Sequence, residues 1–359
     1  MRAAVVGGGV FGCTAAVDLA RAGAEVDLFE ARSDILTGAT ARCQARLHSG
    51  YHYPRSGSTA AAARDGAVEF GKRYPEAIRR AQHHYVVAPG SKVTPSQYLT
   101  FCERLGLPYE VVDKPRHVHT ADLVVRVPEA FVDVDMLRRL ARRDLAQAGV
   151  TVHLGQEASG LDDYGLVVQA TYGQPWLKPL RYELCEVALL ELGRYDGESY
   201  VVIDGDYVSL DPHGRHYALY DVANSVHLAV EGEAPEWPAE YRDLLGRVGP
   251  VRTPLSNVNR MIESAGRFLW GLEPGGLGVS IYQGSWFAVR AVLPDVDRTD
   301  ERPTLVQRSG NVVSVLSGKI CTAVAAAREV VASADVAHLV AEPHHTPRPA
   351  RQPQPAGRH

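Results

Sequence analysis

Residues 2–6, RAAVV, are an apolar run of the length a buried strand takes, and a glycine cluster, GGGVFG, follows at once. From Val10 the apolar positions recur at helical spacing through Ala15, Val17 and Leu19 until Gly23, which predicts a helix over 10–22. AEVDLFE then predicts a second strand closing on Glu30. Strand, glycine turn, helix and strand within some thirty residues form a βαβ start.

Further along, 132–155 reads as an amphipathic helix ending near Gly149, followed by the strand VTVHL. Its arginines are expected to face solvent. GLVVQATYG (165–173) predicts a strand running into a small-residue turn. From about 176 to 285 the pattern changes to period-two alternation broken by Gly, Asp and Pro: ELCEVALLEL, SYVVIDGDYVSLDP, HYALYDV and SVHLAV. Residues 311–334 return to a strand, a glycine turn and an alanine-rich helix. The last stretch, 340–359, is proline-rich and without apolar periodicity, and a disordered tail is expected there. The expected fold class is α/β. A Rossmann-like nucleotide-binding domain occupies 1–58, 130–175 and 286–335, and a β-rich substrate-binding domain occupies 59–129 and 176–285.

Composition narrows the picture only a little. With 45% hydrophobic residues, 22% charged residues and a net charge of −4, nothing points to nucleic acid or an anionic membrane surface. No apolar run is long enough to span a bilayer. The N-terminus superficially suits a signal peptide, but a glycine triplet would break its apolar helix, so the expected setting is cytoplasmic. Five scattered cysteines with no CxxC spacing suit a reducing compartment and argue against structural zinc.

In the βαβ start, Gly7 permits the tight turn, Gly9 lets the backbone approach a pyrophosphate, and Gly12 lets helix pack on strand. The pyrophosphate would rest on the helix N-terminus, and Glu30 would accept hydrogen bonds from a ribose diol. The fingerprint alone does not separate FAD from NAD.

Four segments together resemble the FAD-dependent oxidoreductases of the D-amino acid oxidase type. They are AVVGGGVFGCTAAVDLARAGAEVDLFEA, LHSGYHYP (an HxGxxY segment), VVQATYG, and LSGKICTAV with its glycine–lysine turn. The resemblance implies FAD as cofactor. It implies contacts from Gly7, Gly9, Val10, Phe11, Gly12, Glu30, Ala31, Arg32, Thr40, Arg42, Arg46, Leu47 and His48. It implies further contacts from Ala170, Thr171, Gly173, Gly318, Lys319 and Ile320. The chemistry it implies is hydride transfer from a substrate C–H to flavin N5. The reading adopted is oxidation of a CH–NH group, in an amino acid or secondary amine, with oxygen or another carrier as electron acceptor. A small polar substrate bearing a carboxylate is the expected partner.

An alcohol substrate also has to lose its hydroxyl proton, and a histidine suits that task. Three roles therefore compete for His48: acid/base, orienting group, or covalent FAD attachment. His52 lies two positions past Gly50, but no acid or cysteine accompanies the pair, so no metal is expected. Arg42 and Arg46 would add positive charge for the cofactor's phosphates or a substrate carboxylate. Arg290, Arg260 and Tyr207 are candidates to grip the substrate, and the histidines at 83, 84, 117 and 119 are expected at the surface. The alternatives held open are a CH–OH dehydrogenase with His48 as acid/base, a flavin monooxygenase, an NAD-dependent dehydrogenase and a non-catalytic flavin-binding protein. The GD motif of many monooxygenases is absent where LSGK stands.

Overall fold

The computed structural model describes residues 1–172, 179–193, 195, 197–205, 208–232, 236–272, 280–294 and 300–334. Gly173, Tyr207 and the 340–359 tail lie outside the described residues. Arg2–Val6 is the centre of a six-stranded sheet, flanked in parallel by Glu25–Glu30 and Leu166–Gln169. Thr151–Leu154 extends it on one side; Val312–Leu316 and then the antiparallel Leu305–Ser309 extend it on the other. A central parallel strand is covered on both faces, which explains why RAAVV reads as continuous rather than alternating apolar sequence.

Helices Val10–Arg21, Val134–Gln147 and Ala323–Ser333 share one core with this sheet, built from Leu19, Leu28, Leu137, Leu145, Val168 and Val330 among others. Asp133 caps the second of these helices by accepting the Met136 N–H at 2.8 Å. Its outward arginines behave as expected: Arg142 pairs with Asp34 at 2.6 Å and remains exposed.

The second sheet has ten strands. Leu180–Leu192 and Ser280–Val292 pair antiparallel along almost their whole length, and Val226–Gly232 and His216–Asp221 also pair with Leu180–Leu192. Val208–His213, Ser199–Ile203, His83–Val87, Leu123–Val127 and Glu110–Val111 continue the sheet. A small third sheet joins Arg46–Leu47, Ala130–Val132 and Ile78–Arg80 between the two large ones.

SYVVIDGDYVSLDP forms two strands, Ser199–Ile203 and Val208–His213. Two expectations are corrected here. The boundary at 286 cuts through Ser280–Val292, whose pairing with Leu180–Leu192 keeps it in the antiparallel sheet as far as Val292. His83, His84 and His117 are buried rather than superficial. The strand carrying His83 and His84 lies between two others, and the His83 ring lies tilted against that of Phe131, 4.6 Å between centroids. Among the described residues no helix is long and apolar enough to cross a membrane, and all five cysteines are free thiols.

Candidate active site

A cavity of about 910 Å³ runs from the first glycine turn, between the two large sheets, to the glycine–lysine turn near the C-terminus. Its nucleotide end follows from the glycines. Gly7 adopts φ of +105°, and a Cβ there would stand 2.8 Å from the Ala170 carbonyl oxygen. A Cβ on Gly12 would stand 1.9 Å from the Gly7 oxygen, so only glycine lets this helix start so close to the strand. At Gly9 the nearest atom to a notional Cβ is Thr40 Oγ1 at 3.7 Å, which leaves the cavity side open to a ligand.

Glu30 ends its strand at this mouth, its carboxylate held by the Gly8 N–H at 2.7 Å and the Arg32 N–H at 2.9 Å. Thr40 accepts the Val10 N–H at 3.2 Å, at the start of the helix. Val10, Phe11, Ala31, Arg32, Ala170 and Thr171 also line the cavity. An open glycine, a helix N-terminus and an acid fixed at the end of the second strand fit an adenine dinucleotide. The fit extends to FAD because the cavity continues past Arg42 to a second helix start at Ile320–Ser333.

The arginines of this region divide. Arg42 lines the cavity, and burial together with Arg32 and Arg138 holds its guanidinium below the ordinary value, a situation a diphosphate would relieve. Arg46 also lines the cavity, but its charge is engaged by carboxylates. It is sealed from solvent, bonds Asp211, and has Glu129 at 3.9 Å. Burial opposes its charge, but Asp211, Tyr85 and Glu129 outweigh burial and raise its pKa. It therefore meets the cavity as a paired group rather than as a free cation. Leu47, unlike Arg46, is not among the residues that line the cavity: it is turned into the core with Ala63 and Ala130.

At the other end of the cavity stand His48, His52, Tyr53, Gly318, Lys319 and Ile320. The His48 and His52 rings are 5.2 Å apart. The Nδ1 of His48 is buried with no hydrogen-bond partner among the described residues. Burial, then the charges of Lys319, His52 and Arg46, hold its imidazole well below the usual histidine range, so it is neutral. Lys319 sits with its Nζ 4.9 Å from the centre of the Tyr53 ring. Its pKa is pushed down to about 7 by burial and by Arg302 and Arg290. A Cβ on Gly318 would lie 2.5 Å from the Arg302 oxygen, and the Gly318 N–H donates to Thr304 Oγ1 at 3.0 Å. The Arg302–Thr304 segment thus lies directly against the glycine–lysine turn.

Arg290 lines the cavity, but its guanidinium is engaged with Glu183, which also takes Arg181 at 3.0 Å. It reaches the cavity from within this ion-pair cluster rather than as an isolated cation. Arg260 is not brought to the cavity: it is exposed on the helix Val258–Gly266, whose inward face, with Val258 and Met261, joins Leu219 in a separate core. Sequence reasoning missed Arg302, Tyr220 and Cys185, which line the same end. The Arg302–Pro303 pair was the one visible signal. Among the described residues no histidine, cysteine and carboxylate cluster is suited to a metal.

A family model described as FAD dependent oxidoreductase matches residues 2–176. The chain is 28% identical to the FAD-dependent monooxygenase kojA of Aspergillus flavus, over 92% of this chain and 85% of that protein. Among solved structures, L-proline dehydrogenase from P. horikoshii superposes with a TM-score of 0.65 at 15% identity, covering 92% of both chains. L-alpha-glycerophosphate oxidase from Mycoplasma pneumoniae, with FAD bound, superposes with a TM-score of 0.67 at 13% identity over 93% of this chain and 94% of that one. At these identities both are likenesses of fold. With the glycine cradle and the family match together, the chain is an FAD-dependent oxidoreductase of the D-amino acid oxidase type.

Proposed function

We propose that this enzyme oxidises a CH–OH carbon of a small polar substrate that also carries a carboxylate. The observation that carries the reading is the neutral His48 imidazole at the cavity wall, with a buried Nδ1 that has no partner among the described residues. In the Nε2–H tautomer that nitrogen is an acceptor, and an alcohol must surrender its hydroxyl proton as the hydride leaves. Bound FAD supplies the hydride acceptor. Burial, then Arg302 and Arg290, lower the proton affinity of Lys319, and burial and Arg290 lower that of Arg302, which marks an excess of positive charge around Lys319. That excess favours a carboxylate and repels an ammonium group, so the geometry favours CH–OH over the CH–NH oxidation expected from the motifs. Lys319 and Tyr53, which carry hydrogen-bond donors, line this end of the cavity together with Tyr220 and Cys185.

A reducing, cytoplasmic setting and a division of labour between a FAD-binding parallel sheet and a substrate-binding antiparallel sheet belong to the same proposal. The free thiols and the cavity between the two sheets support them. A second reading, monooxygenation, is favoured by the match to kojA over 92% of the chain. The two differ in the source of electrons. A dehydrogenase or oxidase is reduced by its substrate alone, whereas the monooxygenase reading requires a separate reductant such as a reduced nicotinamide. Anaerobic mixing of the FAD-loaded enzyme with panels of 2-hydroxy acids, amino acids and N-methyl amines tests this. Bleaching by a 2-hydroxy acid alone supports the proposal; bleaching by an amine alone, or only with a reduced nicotinamide, overturns it.

A further inference from the structure

The segment that carries His48 is fastened by two buried carboxylates that belong to neither the nucleotide cradle nor the cavity wall. Asp211, in the strand Val208–His213, bonds Arg46 and accepts the Gln44 amide N–H at 2.6 Å. Glu129 comes just before Ala130–Val132, the strand that pairs with Arg46–Leu47. One Glu129 oxygen accepts the Ser49 backbone N–H at 2.7 Å. The other accepts the Tyr85 hydroxyl at 2.7 Å and lies 3.9 Å from Arg46 Nε. Glu129 thus holds the chain two residues before His48 through a side chain, and one residue after it through the backbone. Tyr85, fully buried in the strand His83–Val87, ties that carboxylate to the large sheet.

Both acids are sealed from solvent, at 0% side-chain exposure, and Arg46 is at 2%. Burying such charges is expensive, and an apolar trio of similar volume is often no less stable. Placement of the chain is therefore a better reason for this network than stability. Leu47, between the two anchored positions, is fixed in the core, so the backbone at His48 has little freedom to turn.

We propose that Glu129 is a positioning residue that aims His48 at the cavity, acting through the Ser49 N–H and Arg46. The catalytic consequence rests on His48 serving as the proton acceptor, whereas the placement itself does not. In Glu129→Gln, one amide oxygen remains to accept, but the NH2 group cannot accept the Tyr85 hydroxyl and the anionic contact with Arg46 is gone.

The test is a double-mutant cycle on the FAD-loaded enzyme, read by the limiting rate of anaerobic flavin reduction with the 2-hydroxy acid that bleaches it best. Glu129→Gln should lower that rate by up to about 10²-fold with the apparent substrate Kd little changed. In a His48→Asn background the same substitution should have no further effect. Multiplying losses, or a changed Kd at an unchanged rate, would show that Glu129 acts elsewhere. The second readout is independent of turnover: the His48 imidazole NMR resonance, assigned by its loss in His48→Asn. It should shift or broaden in Glu129→Gln; an unmoved resonance overturns the placement. If His48→Asn alone leaves the rate intact, the alcohol reading fails while this resonance still decides the role of Glu129. Should Glu129→Gln not fold, Tyr85→Phe, which removes one donor to the same oxygen, replaces it in both measurements with the same outcomes.

Discussion

Lys319 holds its ammonium nitrogen 4.9 Å from the centre of the Tyr53 ring, at the cavity end where Arg302 and Arg290 add like charge. Tyr53 is itself buried, and its hydroxyl has no hydrogen-bond partner among the described residues. The pair is a lysine with a proton it holds weakly and a phenol whose burial keeps its proton on. The lysine's folded pKa of about 7 lies below the ordinary 10.5. Between those values the unfolded chain binds a proton that the folded chain lacks, so stability rises with pH across that window. Below it the full penalty is present. Thermal melts of the FAD-free protein should therefore show a Tm that climbs from about pH 7 upward, and Lys319→Met should flatten that climb and raise the Tm at lower pH. Parallel profiles for the two proteins would remove this account of Lys319.

Replacing His48 with Asn preserves a polar group of similar reach but removes the basic nitrogen. Under the alcohol reading the limiting rate of flavin reduction should fall by roughly 10²–10⁴-fold while FAD stays bound. Rapid-mixing absorbance measures it, and an unchanged rate would exclude His48 as proton acceptor.

Gly12→Ala places a methyl group where the Gly7 oxygen stands 1.9 Å away. The helix must retreat from the strand, which should cost about 1–3 kcal/mol and misalign the N-terminus that faces the pyrophosphate. The purified variant should carry much less flavin per protein, read from the ratio of visible to ultraviolet absorbance. Full flavin content would refute the assigned close approach.

Arg46→Met leaves Asp211 and Glu129 buried without their shared cation, a loss of roughly 3–5 kcal/mol. Burial already raises the Glu129 pKa, and losing Arg46 raises it further, so the deficit should shrink as pH falls and the acid takes up a proton. Arg260→Ala, by contrast, alters an exposed helix position and should change stability by no more than about 0.5 kcal/mol, with flavin reduction unaffected. Denaturant titrations of both variants at two pH values make the comparison.

Much of the nucleotide end was legible because its chemistry is local. Gly7, Gly9, Gly12 and Glu30 lie within one βαβ unit, and their spacing encodes the turn, the close approach and the acid. The glycine–lysine turn was legible for the same reason. The pairing of Arg46 was not legible because its partners lie 83 and 165 residues away in sequence, and no local pattern shows that two acids will close on it. Leu47 went wrong in the opposite way: alternation along a two-residue strand is too short to say which side faces the cavity. Arg260 looked plausible by type alone, whereas the apolar face of its helix fixes its direction away from the site. The buried His83 and His84 show the same limit, since only pairing on both sides of their strand makes it central.

The most direct test of the central claim is anaerobic reduction of the FAD-loaded enzyme by its organic substrate with no nicotinamide present. Loss of the flavin's visible absorption on adding a 2-hydroxy acid, with one equivalent of the corresponding keto acid formed, is the result predicted here. Flavin that stays oxidised with every hydroxy acid and bleaches only with an amine or with a reduced nicotinamide would contradict it.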